Sequence, residues 1–320
     1  MNISLLLYGI GGIALLVTIV ITVLNVVTYK MLFMPNFARY TVKQDPLGQD
    51  WDVMVPYKDI IEKGENWWFK QTPEECWITS YDGLKLRADL LCSETPPKGT
   101  IIMVAGWHGY PLRDFAPVYR QFHEEGYNLL MIDQRAQWKS EGQFMTFGIK
   151  ERYDVRDWIT FINGKFGTNL PVFLYGISMG CATVMMAAGF TLPDNVRGII
   201  ADCGFTSPYD ILSYQIKATY HLPEWPLLNI ADRFAKKEAG FGFKEYSALT
   251  AMETNVTPML FVNGDQDDFV PPFMIEKVYN ACRAEKERLV VKGAPHSISN
   301  CVDNEGYLAA ALAFLRRFST

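Results

Sequence analysis

Tyr175-Gly176-Ile177-Ser178-Met179-Gly180 sets a serine between two glycines directly after an apolar run. Pro171 to Tyr175 is short and apolar enough for a buried strand, and Cys181 to Ala188 is rich in small, helix-compatible residues. In so tight a strand-to-helix turn the serine backbone is strained. Glycines on either side remove the Cβ atoms that would clash as the hydroxyl is lifted above the sheet. Ser178 is therefore a candidate nucleophile. The alternative, a helix-capping serine after a glycine turn, is weighed by whether chemical partners exist elsewhere in the chain.

A serine hydroxyl is a poor nucleophile at neutral pH and needs a histidine to take its proton and an acid to fix the imidazole. Pro258 to Asn263 reads as a buried strand that runs into the acidic loop Gly264-Asp265-Gln266-Asp267-Asp268-Phe269-Val270-Pro271. Loops at the C-terminal ends of parallel strands are where ligands bind. A further strand, Arg288 to Val291, leads to Lys292-Gly293-Ala294-Pro295-His296-Ser297. Of the four histidines, only His296 follows Ser178 at a strand-to-loop junction after an acidic candidate. His123 falls at the border of a helical apolar face, which suits packing, and His221 suits a surface or packing role. Asp265, Asp267 and Asp268 all remain open as the acid.

Thr100 to Ala105 is another buried-strand pattern, ending in Gly106-Trp107-His108-Gly109-Tyr110. A backbone with little side-chain bulk can aim N–H groups at a developing oxyanion. An ordinary glycine turn with a hydrogen-bonded histidine is the plain alternative. The loop lies upstream of Ser178, where a second oxyanion donor is expected, and this points to the backbone N–H groups of Tyr110 and Met179.

From about Cys76 to the C-terminus the chain resembles the α/β-hydrolase superfamily. Within it the likeness is to bacterial serine hydrolases near the prolyl-oligopeptidase-like and serine-aminopeptidase-like branches. The resemblance rests on four motifs in order: His108-Gly109, Asp133-Gln134-Arg135, Gly176 to Gly180 and Gly264 to Pro271. It implies Asp267 as the acid, by its place between Gly264 and Val270-Pro271, and it implies Tyr110 as an oxyanion donor. One departure stands out. Where the family usually reads D-x-R-x-H-G-x-S-x-G, this chain has Asp133 to Gly142 with Gln137-Trp138 in place of the histidine-glycine pair, so the pocket wall is expected to differ.

At 320 residues and 49% apolar, the chain can bury a large core. A net charge of −5, with no basic cluster, argues against a nucleic-acid partner. The six cysteines lack C-x-x-C spacing, so neither a zinc site nor a disulfide framework is indicated, and no metal or organic cofactor is called for. Cys181 reads as a small packing residue at the start of the nucleophile helix.

Ile3 to Val27 carries no charged residue, and at 1.5 Å per residue this helix would extend roughly 37 Å, enough to cross a bilayer. Neither a basic leader nor a small-residue cleavage site accompanies it, which favours a retained single-pass anchor over a signal peptide. Lys30, Arg39 and Lys43 on its C-terminal flank favour a cytoplasmic catalytic domain. The expected organisation is an anchor over 1–29, a juxtamembrane segment over 30–75 and a hydrolase domain over 76–320. Trp67, Trp68 and Phe69, among lysines, suit either the membrane interface or a helix packed on the domain.

Strands at Cys76–Ser80 and Leu84–Leu91, joined by Asp82-Gly83, predict an antiparallel edge. Six further strands alternating with helical runs complete the expected fold, an α/β-hydrolase fold whose eight-stranded sheet is mostly parallel with helices on both faces. The aromatic- and proline-rich stretch 204–254 is expected to form a small helical cap. The function expected is hydrolysis of a carboxylic ester, on a small or lipid-like substrate, through an acyl-enzyme on Ser178, His296 and Asp267. A peptidase, thioesterase or acyltransferase on the same residues, or a catalytically silent tethered binding protein, are the alternatives.

Overall fold

The computed structural model describes residues 51–319 together with scattered positions between 8 and 23, which are helical. Most of the expected anchor, and the juxtamembrane residues up to 50, lie outside the described residues. Among the described residues no helix is long and apolar enough to cross a membrane.

Eight strands form one sheet: β1 (Glu74–Thr79), β2 (Lys85–Leu91), β3 (Gly99–Val104), β4 (Tyr127–Ile132), β5 (Val172–Ile177), β6 (Val196–Asp202), β7 (Met259–Gly264) and β8 (Lys286–Val291). Their spatial order is β1-β2-β4-β3-β5-β6-β7-β8. β1 and β2 pair antiparallel, as do β2 and β4, and every later pair is parallel. The expected antiparallel edge is present, turned at Tyr81-Asp82-Gly83, where Gly83 adopts a positive φ of 89°. β3, β4, β5 and β7 are buried along their whole length, which is why they read as continuous apolar runs and not as alternating ones.

Alternation reappears as a division between two faces. Ile101, Met103, Leu129, Met131, Phe173 and Tyr175 point into one apolar layer, while Ile102, Val104, Leu130, Ile132 and Leu174 point into the other. The first layer is closed by helices α1 (Lys58–Trp68), α2 (Pro111–Asp114), α3 (Tyr119–Glu124) and the C-terminal α10 (Asn304–Phe318). The second is closed by α4 (Glu151–Phe166), α5 (Met179–Ala187), α8 (Ala248–Met252) and α9 (Pro272–Ala281).

Helix α1 extends the folded unit upstream of residue 76, where the sequence placed its boundary. Trp68 is buried against Tyr119, with ring centroids 5.3 Å apart, and Trp67 stacks on Tyr119 and on the edge of His123. These tryptophans therefore pack on the domain. His123 is buried, with Nε2 3.0 Å from the Cys92 carbonyl oxygen, in the packing role its helical position suggests.

Helices α6 (Pro208–Ala218) and α7 (Glu224–Glu238) stand over a third apolar cluster that includes Met145, Phe147, Met179, Phe205, Phe241 and Phe243. Helix α8, the last in the expected cap stretch, instead packs below with Ala248, Ala251 and Met252 in the core against α5 and α9.

Candidate active site

The chain after β5 makes the tight turn that the glycine spacing requires. Ser178 holds φ 55° and ψ −118°, a conformation that strains any residue with a Cβ. The space around it is set by two close approaches. A Cβ on Gly180 would sit 1.9 Å from the Val104 carbonyl oxygen, and one on Gly176 would sit 2.3 Å from the Gly180 carbonyl oxygen. Helix α5 can thus begin directly against β3 only because these positions lack side chains. The Ser178 N–H donates to the Asp202 carbonyl oxygen at 2.9 Å, tying the turn to the end of β6.

The loops after β7 and β8 converge on the same point. His296 Nε2 lies 2.8 Å from Ser178 Oγ, and His296 Nδ1 lies 2.7 Å from Asp267 Oδ2. The other Asp267 oxygen accepts the backbone N–H groups of Phe269 and Val270, at 3.1 and 2.8 Å, which hold the carboxylate in one orientation. The three acids that sequence reading left open are separated by this geometry. Asp265 Oδ1 accepts the Gly293 N–H at 2.6 Å and so bridges the two loops, while Asp268 contributes its carbonyl oxygen to the Tyr214 hydroxyl. Only Asp267 meets the imidazole.

Beneath these groups lies a second buried carboxyl that sequence reading passed over. Asp202, at the end of β6, accepts a hydrogen bond from the Tyr307 hydroxyl at 2.9 Å, and Tyr307 in turn lies 2.6 Å from the Tyr175 hydroxyl. Burial pushes the Asp202 carboxyl up to about 7, with the Tyr307 hydrogen bond and nearby His296 acting in the opposite sense. The only available signal was a lone aspartate after an apolar strand, which also fits a solvated turn. Cys203 follows, and its donor atom, with those of Asp267 and His296, forms a group within 4.8 Å. Burial drives the Cys203 thiol well above its ordinary range, and the imidazole and carboxylate already bond each other, so this donor set does not suit a cation. Cys181 is likewise fully buried, with its thiol pushed well up.

The loop after β3 reaches the nucleophile through Gly106, whose added Cβ would lie 3.3 Å from Ser178 Cβ and 3.7 Å from its Oγ. Gly109 faces Asp114 and the Gly106 backbone instead, and Tyr110 caps α2, its carbonyl oxygen accepting from the Arg113 and Asp114 N–H groups. His108 adopts a positive φ of 50°, and burial lowers its imidazole to about 4, so it is neutral at pH 7.

The Gln137-Trp138 pair, which stands where the motif of the resembled family has histidine and glycine, holds this loop in place. Gln137 Nε2 donates to the Gly106 carbonyl oxygen at 3.2 Å, and Trp138 Nε1 donates to that of Gly109 at 2.9 Å. The Trp138 ring also stacks on Tyr110 at 4.3 Å. The neighbouring Gln134 and Arg135 are structural. Gln134 Nε2 donates to the Ala105 carbonyl oxygen at 2.6 Å, and buried Arg135 pairs with Asp154 and with Asp82 of the β1–β2 turn.

A cavity of about 440 Å³ lies between Lys236 and Glu245 and a smaller one beside it, and neither is lined by Ser178, Asp267 or His296.

Residues 95–233 match the family described as serine aminopeptidase, S33. The chain is 30% identical over 194 residues to the Bacillus subtilis protein YqkD, across 61% of this chain and 64% of that protein, a little under two thirds of its length. Among solved structures, the Pyrococcus furiosus esterase Pf2001 aligns with a TM-score of 0.63 at 22% identity, over 78% of this chain and 94% of that one. Pyrococcus horikoshii acylaminoacyl peptidase aligns with a TM-score of 0.60 at 16% identity, over 79% of this chain and 43% of that one.

Proposed function

We infer that this chain is a membrane-anchored serine hydrolase of the α/β-hydrolase superfamily that cleaves carboxylic esters through an acyl-enzyme. The observation that carries this reading is the unbroken hydrogen-bond relay from Ser178 Oγ through His296 to Asp267, at 2.8 and 2.7 Å. Ser178 Oγ attacks the ester carbonyl carbon while His296 Nε2 takes its proton. Asp267 holds the Nδ1 proton and stabilises the imidazolium. The tetrahedral intermediate collapses with loss of the alkoxide, which receives the proton from His296. Water then attacks the acyl-enzyme by the same route, releasing the acid and restoring the serine.

For the oxyanion, the Met179 N–H at the start of α5 supplies one donor, as the sequence suggests. Tyr110 was the expected second donor. Because Gly106 is the loop residue against Ser178, we assign this role to the Trp107 N–H. In a trans peptide the C=O and N–H point in opposite directions, so Gln137 and Gly109, by binding the Gly106 carbonyl oxygen, turn the Trp107 N–H the other way.

Membrane attachment rests on the uncharged run Ile3 to Val27. The lysines and arginine that follow it favour a cytoplasmic catalytic domain. A peptidase reading is favoured by one finding, the match to a family described as serine aminopeptidase. The same triad acts on amides and esters alike.

Labelling of detergent-solubilised full-length protein with a fluorophosphonate, read by peptide mass spectrometry, tests the reading. Modification on Ser178, abolished by Ser178→Ala and by His296→Ala, is the expected result. An unlabelled folded protein would replace the enzyme with a tethered binding protein. Paired ester, thioester and aminoacyl-amide substrates then decide the bond cleaved.

A further inference from the structure

Five exposed large apolar side chains belong to the segment that folds back on α6 and to the loop and helix beneath it; the Leu222 N–H donates to the Ile216 carbonyl oxygen at 3.1 Å and the Ser213 hydroxyl donates to Glu224, which holds that segment against α6. Tyr220, Leu222 and Trp225 follow the end of α6, and Trp225 is 72% exposed. Phe269 and Phe273 lie beneath the same helix. Gln215 Nε2 donates to the Phe269 carbonyl oxygen at 2.6 Å, the Tyr214 ring lies 6.2 Å from that of Phe273, and both phenylalanines are exposed. The Phe269 ring stands 4.9 Å from the His296 ring, so this group borders the triad. Single exposed apolar residues are ordinary, but several on segments packed against one helix mark an interaction surface.

The point where the chain enters the fold indicates what this surface meets. Helix α3 runs from the C-terminal end of β3 back to the start of β4. α1 advances alongside it in the same direction: Gly64 opposes Ala116, Trp68 opposes Tyr119, and Trp67 reaches His123. The Lys58 end of α1 therefore lies at the C-terminal edge of the sheet, the edge that carries Ser178, Asp267 and His296. Residues 51–57 lead into it there, with Val53 and Val55 exposed. The described chain thus enters the domain on its catalytic side.

We propose that the rim formed by Tyr220, Leu222, Trp225, Phe269 and Phe273 docks on the lipid bilayer, so that the site receives ester substrates that reside in the membrane. This rests on the anchored-hydrolase reading above. Aromatic and aliphatic side chains of this kind seat at the boundary between headgroups and acyl chains. Docking there presents the triad to long-chain acyl esters without a passage through water.

Full-length protein reconstituted in phosphatidylcholine vesicles with brominated acyl chains provides the test. No tryptophan precedes Trp51, so the anchor itself contributes no signal. Bromine quenching of tryptophan fluorescence should be measurably smaller in Trp225→Phe than in the parent protein. In the same vesicles, Leu222→Ser/Trp225→Ser should hydrolyse methylumbelliferyl oleate about tenfold more slowly while keeping its rate on water-soluble methylumbelliferyl acetate. Equal quenching in the two proteins, together with an unchanged oleate-to-acetate ratio, would overturn the proposal. So would protein that fails to float with the vesicles, which also removes the anchor. Absence of turnover on both esters would remove the hydrolase reading alone, and quenching would then decide docking.

Discussion

Gln137 donates its side-chain N–H to the carbonyl oxygen of Gly106, the loop residue that stands against Ser178. A side chain from the loop after β4 thus sets the orientation of a peptide unit after β3. Gln137→Leu removes this hold, and Trp138→Phe removes the neighbouring one on Gly109 while keeping a ring against Tyr110. Each is expected to lower kcat by about tenfold to a hundredfold with little change in KM, because a misaimed oxyanion donor is missed mainly in the transition state. Steady-state kinetics on a soluble ester read the split. A rise in KM with kcat unchanged would place these residues in substrate binding instead.

The acidic loop after β7 offers a controlled comparison among three aspartates within four residues. Asp267→Asn should lower kcat by about four orders of magnitude, since the amide no longer fixes the reactive imidazole tautomer. Asp268→Asn should be near the parent rate. Asp265→Asn weakens only the tie to Gly293 and should cost stability more than rate. Rates and denaturation midpoints for the three variants provide the check.

Helix α5 abuts β3 at a glycine, and the contact is backbone against backbone. In Gly180→Ala the new methyl would lie 1.9 Å from the Val104 carbonyl oxygen, so the helix must withdraw from the sheet. A loss of about 3 kcal/mol is expected from such overpacking, with displacement of Ser178. Chemical denaturation and fluorophosphonate labelling should both report it. Gly164→Ala, where an added Cβ meets nothing within 4 Å, is the matched control.

Asp202 gives the fold a defined pH response. Its carboxyl is pushed up to about 7 by burial, from an ordinary 3.8. Between these values the folded protein keeps a proton that the unfolded chain has released. The group's stabilising contribution is therefore complete below about pH 4 and is lost as the pH rises through about 7. Asp202→Asn cannot ionise, so its stability relative to the parent should increase between about pH 5 and about pH 8, by on the order of a few kcal/mol. Denaturant midpoints at the two pH values measure the difference, and an equal offset at both would refute it.

Much of the architecture was legible in the residues. Apolar runs bounded by glycines and polar turns located the strands to within two or three residues, because burial on both faces leaves few polar positions in a central parallel strand. Ser178, His296 and the acidic loop were legible because each follows such a run directly. The start of the globular unit was less so: Lys58 to Trp68 suited a membrane-surface segment as well as a packed helix, and only Tyr119 and His123 across the contact distinguish them.

Sequence alone determined the local pieces of this protein: the strand-to-helix turn at Ser178, whose strained φ needs glycine neighbours, and the order in which serine, acid and histidine are delivered to one edge of a parallel sheet. Tertiary structure decided which of three aspartates within four residues turns toward His296, that Gly106 stands against the nucleophile, and that Gln137 braces it. The physical reason is one of range. Turn chemistry and periodicity act over a few residues, whereas the 2.7 Å contact of His296 with Asp267 and the 3.2 Å contact of Gln137 with Gly106 join loops set in place by the packing of whole strands and helices.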